Sequence, residues 1–156
     1  MGDEIDEVID FLSDKKPAVR EQAMQIVQGL TGTDDGAKLL YAKADALVPK
    51  LLHALGAEGG ESKYAATALV NLTHDPEVIT KAVGKGVVER AMDSLRDGDG
   101  APVDLLLSIL ANVTTAESGR GRIVRAVDGS RAHVGKAGAC RGHLGPRSST
   151  NKRPPD

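Results

Sequence analysis

The sequence predicts an all-α fold in which short helical units stack into an α-solenoid. A phrase of the form Ala-x-x-Leu-x-Asn-Leu-Thr at 66–73 recurs at 108–114, about 41 residues later, and in a variant form at 25–31. Repeats of this length are typical of stacked helical units. Apolar residues follow the 3.6-residue period of a buried helix face, and no segment shows the alternation of a strand.

Composition agrees with this prediction. The chain has 156 residues, with two Tyr, one Phe and no Trp, so its core must consist of Leu, Val, Ile and Ala. This length allows one domain with a modest core. The single Cys excludes an internal disulfide framework, and the acidic N-terminus does not resemble a secretory or transit peptide.

The first unit is predicted to have two helices. The first helix buries Ile5, Val8, Ile9 and Leu12, and the chain turns at 15–17. The second helix is expected to bury a set of apolar residues at helical spacing: Val19, Ala23, Ile26, Val27 and Leu30.

The second unit is predicted to have three helices, the first of them over 36–41. Asp45 is expected to cap the second helix, which ends near Leu55 and tolerates Pro49 in its first turn. A glycine-rich break at 56–60 follows, and Ser62 is expected to cap the third helix.

The third unit repeats this order. Asp75 and Pro76 form an N-cap with Pro at the first helical position. Glycines at 84 and 86 separate the first helix from the second, a turn follows at 97–100, and Pro102 begins the third helix. We therefore predict a right-handed solenoid of about two and a half units.

The C-terminal segment is a different kind of sequence. Residues 1–119 carry 11 Lys/Arg against 20 Asp/Glu, a net charge of −9, whereas residues 120–156 carry 9 against 2, a net charge of +7. Ile123, Val124 and Val127 suit one more short helix, after which the periodicity ends. We predict a repeat domain over 1–127 and a disordered basic tail over 128–156.

The order of short helix, glycine break, Leu-rich helix and Asn-containing helix resembles the armadillo repeat, within the armadillo/HEAT class. The acidic start at 4–12, Val19-Arg20-x-x-Ala23 and the phrase at 68–72 resemble, more narrowly, the N-terminal region of the HGH-one homolog (brain-protein-sixteen-like) family. That resemblance covers about 1–118. Members of the family are longer solenoids, and the resemblance implies a cytosolic adaptor that helps the chaperonin fold translation elongation factor two.

Asn71 and Asn112 are the candidate partner-binding residues. They occupy the position where other armadillo proteins place an Asn that bonds the backbone of an extended peptide, which an amide suits because it both donates and accepts. The aromatic residue that accompanies it in nuclear-import proteins is replaced by Thr67 and Ser108. The alternative is that both side chains bridge helices within the stack.

The predicted function is a protein–protein interaction scaffold without enzyme activity, cofactor or metal. Cys140 and His143 form a lone pair that lacks the other half of a zinc site. We expect a protein partner, which the family resemblance implies to be elongation factor two with the cytosolic chaperonin. We expect a cytoplasmic location, with the nucleus as the alternative, and no membrane association. Two alternatives stay open: nucleic-acid association through the basic tail, which lacks aromatic residues to stack on bases, and a truncated isoform without activity, in which 120–156 is not family sequence.

The last complete unit has no obvious cap. Its third helix is apolar on more than one side, and a terminal unit of a repeat stack needs a polar outer face. We therefore expect an exposed apolar patch near Leu106 and Leu107 and self-association through it.

Overall fold

The computed structural model describes residues 2–98 and 100–137, and the regular secondary structure of this part of the chain is all α-helix, without a strand. The all-α prediction is therefore confirmed. The described helices are α1 (Gly2–Phe11), α2 (Pro17–Thr31), α3 (Asp34–Ala42), α4 (Ala44–Ala54), α5 (Gly60–Leu72), α6 (Pro76–Gly84), α7 (Val87–Asp97), α8 (Val103–Val113) and α9 (Glu117–Ala137). None of the helices in the described ranges is both long and apolar enough to span a membrane.

The first unit consists of α1 and α2, as predicted. Pro17 occupies the first turn of α2, where its missing N–H is not needed. The buried face of α2 differs by a small rotation from the predicted one. Met24 is fully buried, whereas Ile26 is 51% exposed and was wrongly placed in the core.

The second unit consists of α3, α4 and α5. Thr33 caps α3 by accepting a hydrogen bond from the Gly36 amide at 3.2 Å. Two predicted caps are wrong. Asp45 lies inside the first turn of α4, with Oδ2 3.3 Å from Lys81 Nζ in the next unit, and Ser62 lies inside α5, where its hydroxyl donates to the Gly59 carbonyl.

Each of these helices begins one or two residues before the polar side chain that was expected to cap it. Pro49 is likewise in the interior of α4 and not in its first turn. The Asp45 carboxylate pairs with Lys81 and does not cap its own helix.

The third unit, α6 to α8, follows the prediction closely. Asp75 Oδ1 accepts hydrogen bonds from the Glu77 and Val78 amides at 2.8 and 3.1 Å, which confirms the N-cap. Gly86 has a φ of 90° between α6 and α7, and Gly98 has a φ of 72° after α7. Both backbone conformations favour glycine, which has no Cβ to clash.

The last helix of each unit packs against the last helix of the next unit, so that α2 contacts α5 and α5 contacts α8. The core fills the space between them and the second helices, with Leu40, Leu51, Leu69, Leu72 and Ile109 all fully buried. This arrangement is compatible with an α-solenoid. The armadillo type of repeat and the right-handed sense stay predictions.

The start of α9 repeats the start of α3. A Cβ on Gly36 would clash with the Leu30 carbonyl, and a Cβ on Gly119 would clash with the Val113 carbonyl. The glycines are 83 residues apart, which is about two repeat lengths. The stack therefore continues past residue 119. A helix is present where a short one was predicted, but with 21 residues it is longer than expected.

Helix α9 continues to Ala137, past residue 127 where the repeat domain was predicted to end, and the disorder of the tail stays a prediction. Residues 128–137 contain no Pro and include Ala, Arg and Lys, which are strong helix formers. The rest of the predicted tail, 138–156, lies outside the described residues.

Candidate functional site

The repeated Asn and Thr of the phrase bond to each other across neighbouring units. Asn71 Nδ2 on α5 donates to Thr31 Oγ1 at 3.0 Å, and Asn112 Nδ2 on α8 donates to Thr73 Oγ1 at 3.1 Å. Asn112 Nδ2 also donates to the Val70 carbonyl at 3.1 Å. Each amide thereby joins its helix to the last helix of the preceding unit.

The threonine hydroxyls in these pairs also donate hydrogen bonds, so each one links two parts of the stack. Thr31 Oγ1 donates to the Gln28 carbonyl at 2.7 Å, and Thr73 Oγ1 donates to the Leu69 carbonyl at 2.7 Å. Both threonines are buried. This geometry matches the alternative in which Asn71 and Asn112 bridge helices within the stack. Peptide binding by these two residues stays a prediction.

Asn71 also borders a small open cavity of about 300 Å³, which we name the Asn71 pocket. Its other lining residues are Thr31, Gly32, Thr33, Asp34, Ala37, Tyr41 and His74. Burial raises the pKa of the Tyr41 phenol above its ordinary value, and the negative charges of Asp75 and Asp34 raise it further. The pocket therefore has an acidic border and a neutral phenol.

A second feature, which the sequence analysis did not identify, lies near the C-terminal ends of α1 and α4. Two adjoining cavities of about 610 and 500 Å³ share Arg20, Pro49 and His53, and together we name them the basic groove. The remaining lining residues are Leu12, Ser13, Asp14, Lys50, Leu52, Gly56, Ala57, Glu61, Lys85, Gly86 and Arg90. It contains four Lys or Arg and two Asp or Glu.

Basic residues in the groove bind carbonyl groups near the C-terminal ends of α1 and α4. Lys50 Nζ donates to the Ile9 carbonyl at 2.8 Å, and Arg90 Nε donates to the Leu52 carbonyl at 3.1 Å. Cations suit these positions because carbonyls near a helix C-terminus carry a partial negative charge. The 40-residue spacing of Lys50 and Arg90 was the available sequence signal.

Arg20 and Glu61 form an ion pair between α2 and α5. Arg20 Nε donates to Glu61 Oε1 and Oε2 at 3.1 and 3.3 Å, and its Nη1 donates to the Asp14 carbonyl at 2.9 Å. The Glu61 side chain is only 7% exposed. The two residues stand 41 positions apart, so equivalent positions of successive units carry opposite charges.

Two basic residues of the C-terminal segment are also engaged inside the protein. Arg120 Nη1 donates to the Thr114 and Thr115 carbonyls at 2.9 and 3.2 Å, and Arg122 Nε donates to Glu89. Among the residues that the structure describes, no group of three or more His, Cys, Asp or Glu is arranged to hold a metal ion. Cys140 and His143 lie outside that range.

The predicted apolar patch on α8 is correct for one residue and wrong for the other. Leu107 is 53% exposed, whereas Leu106 is fully buried. Val103, one turn earlier on the same side as Leu107, is also exposed. α9 packs mainly against α6 and α7.

No family model matches the chain. Among the curated proteins, the chain is similar to Protein HGH1 homolog of Dictyostelium discoideum, with 23% identity over 118 residues, which are 75% of this chain and 33% of that relative. The chain thus spans about one third of the relative's length. The resemblance to the HGH-one homolog family that the motifs predicted is confirmed as a sequence similarity over three quarters of the chain.

Proposed function

We propose that this protein is a protein–protein interaction scaffold of the HGH-one homolog type. The observation that carries the proposal is the similarity to Protein HGH1 homolog over 118 residues. The stacked helices support it, because consecutive units present continuous surfaces to a partner. The proposal assigns no catalytic step to the chain.

The finer form of the proposal is a cytoplasmic chaperone adaptor that assists the folding of translation elongation factor two together with the cytosolic chaperonin. It follows from the family resemblance and not from the geometry. Because the chain covers 33% of the relative, we expect it to provide part of the contacts and to bind more weakly than a full-length relative would.

The test is direct binding of the full 156-residue chain to purified translation elongation factor two, measured by biolayer interferometry. We expect saturable binding, and an unrelated acidic protein of similar size serves as the control. Equal signals from the two proteins would reject the elongation-factor proposal. If a labelled oligonucleotide binds instead, and this binding falls steeply as salt is added, the nucleic-acid alternative is favoured. Binding to neither would favour the inactive isoform.

A further inference from the structure

The basic groove contrasts in charge with the domain that forms it. Residues 1–119 carry a net charge of −9, yet the groove lining has twice as many Lys and Arg as Asp and Glu. Such a local positive potential within an acidic protein favours encounter with an anionic ligand.

Internal pairing leaves part of this positive charge available. Arg20 is neutralised by Glu61 and fixed by the Asp14 carbonyl. Lys50 Nζ donates to the Ile9 carbonyl and lies 3.5 Å from Asp10 Oδ1, whose side chain is 85% exposed. Lys85 Nζ is 3.8 Å from Asp45 Oδ1, which is a long and partly exposed contact. Exposed ion pairs of this kind contribute little and exchange readily.

Arg90 provides the most specific feature of the groove. Its Nε is bound to the Leu52 carbonyl, while its Nη1 and Nη2 take part in no hydrogen bond among the described residues. The guanidinium lies over Gly56, in the space that a Cβ there would fill. The Leu52 carbonyl and Gly56 thus hold the planar group in place, and the free side of the guanidinium suits a carboxylate.

The floor and shape of the groove indicate which anion fits. Pro49, Leu52 and Ala57 supply apolar surface beside the charged groups, and the two cavities together extend from Leu12 to Arg90. An extended peptide can place its backbone and apolar stems on this floor while its carboxylates contact the cations. The lining contains no Phe, Tyr or Trp on which a nucleic-acid base would stack.

We propose that the basic groove binds an extended acidic segment of a partner protein, with one carboxylate paired to Arg90 and others near Lys85, His53 and Lys50. This inference rests on the proposed scaffold function and names the surface and the chemistry of the partner. It does not require the partner to be elongation factor two.

The test uses the full chain and a short fluorescein-labelled peptide of Glu, Asp and Gly, with binding measured by fluorescence anisotropy. Lys85→Glu is the main variant, because Lys85 is exposed and its replacement leaves the core intact. Lys38→Glu is the matched control, since Lys38 is exposed on α3, makes the same change in net charge and lies outside the groove. The basic C-terminal segment is the same in both variants.

We expect Lys85→Glu to weaken peptide binding about fivefold or more, because a reversed charge replaces an attraction by a repulsion. Lys38→Glu should change it less than about twofold. Arg90→Lys retains the charge but loses the planar fork, and it should also weaken binding by at least about fivefold, with circular dichroism verifying the fold. Equal losses for Lys85→Glu and Lys38→Glu, or no peptide binding at all, would overturn the proposal.

Repeating the assay with elongation factor two separates this inference from the proposed function. If the factor binds the unmodified chain and Lys85→Glu equally well while the peptide distinguishes them, elongation factor two binds another surface. If the peptide binds as expected and the factor does not bind, the groove proposal stands and the partner assignment fails.

Discussion

Replacing Asn112 by Ala separates the bridging role of this residue from a peptide-binding role. The substitution removes two hydrogen bonds, to the Val70 carbonyl and the Thr73 hydroxyl. A hydrogen bond contributes about 0.5–1.5 kcal/mol net, and a buried partner left unsatisfied costs about 1–3 kcal/mol. Ala gains several tenths of a kcal/mol in helix propensity. We expect a net loss of about 1–2.5 kcal/mol of unfolding free energy.

Asn71→Ala is the matched control. It removes the single bond to Thr31 Oγ1, so its expected cost is smaller, at about 0.5–1 kcal/mol. Urea denaturation followed by far-UV circular dichroism measures both values. A double-mutant cycle of Asn112→Ala with Thr73→Val should give a coupling of about 0.5–1.5 kcal/mol, because the two groups bond directly.

The bridging explanation would be refuted by an Asn112→Ala variant within about 0.3 kcal/mol of the unmodified protein. If that variant also lost partner binding, the amide would act on a peptide and not on the stack. Ordinary binding with reduced stability is the result that we expect from the observed contacts.

Three other predictions follow from burial, backbone conformation and pKa. Leu72→Ala should lower the free energy of unfolding by about 2–5 kcal/mol in urea denaturation, because Leu72 is fully buried. Leu39→Ala, at a 39% exposed position, should lower it by less than about 1 kcal/mol. Similar losses for the two variants would mean that the core is misassigned. Gly100→Ala should destabilise the protein more than Gly98→Ala, since both have positive φ but only a Cβ at Gly100 would clash, with the Leu55 carbonyl; equal midpoints would contradict this. The pKa of the Tyr41 phenol should lie above its ordinary value of 10.0. The stabilisation that this shift contributes to the folded state is therefore fully present below pH 10 and is lost as the pH rises through the folded-state pKa. Absorbance titration of the Tyr64→Phe variant measures this pKa.

The helix pattern could be predicted because its signals are local. Asp75 with Pro76 and the glycines at 84, 86 and 98 determine where helices begin and end through the geometry of a few adjacent residues. The stacking order of the units also follows, since a repeat with one buried face must place that face against its neighbours. For these elements the sequence was sufficient.

The errors have longer-range causes. Met24 and Ile26 are both apolar and both compatible with an amphipathic α2, and the packing of α2 against its neighbouring helices α1, α3 and α5 decides which one is buried. Asp45 matches a capping residue but pairs with Lys81 in the next unit. The basic groove depends on residues from several units, and no local motif brings Arg20, Glu61 and Arg90 together.

The bridging Asn could be recognised only as one of two alternatives. In the second and third units the repeated phrase places Asn and Thr two residues apart, a spacing at which helical side chains do not face each other. Only the stack shows that Asn71 meets Thr31 of the preceding unit and that Asn112 meets Thr73. The first unit has Gly29 at the equivalent position, which has no side chain to form such a bridge.

The outer face of α8 repeats a surface that is internal elsewhere in the stack. Ser62 and Ala66 on α5 are 1% and 0% exposed, whereas their equivalents on α8, Val103 and Leu107, are 56% and 53% exposed. The exposed pair is also the more apolar one. This face therefore has the character of an interface between units, and a comparable helix covers it on α5 but not on α8 within the described residues.

We therefore expect the full chain to self-associate through α8, since an uncapped repeat face buries apolar surface by pairing. Light scattering at about tens of micromolar should give a mass above that of the monomer. Leu107→Gln should shift the equilibrium toward the monomer, because it removes apolar area from the middle of that face. Ile26→Gln is the control, since Ile26 is equally exposed but lies on α2. A monomeric unmodified chain, or equal effects of both substitutions, would show that α8 is not the contact surface.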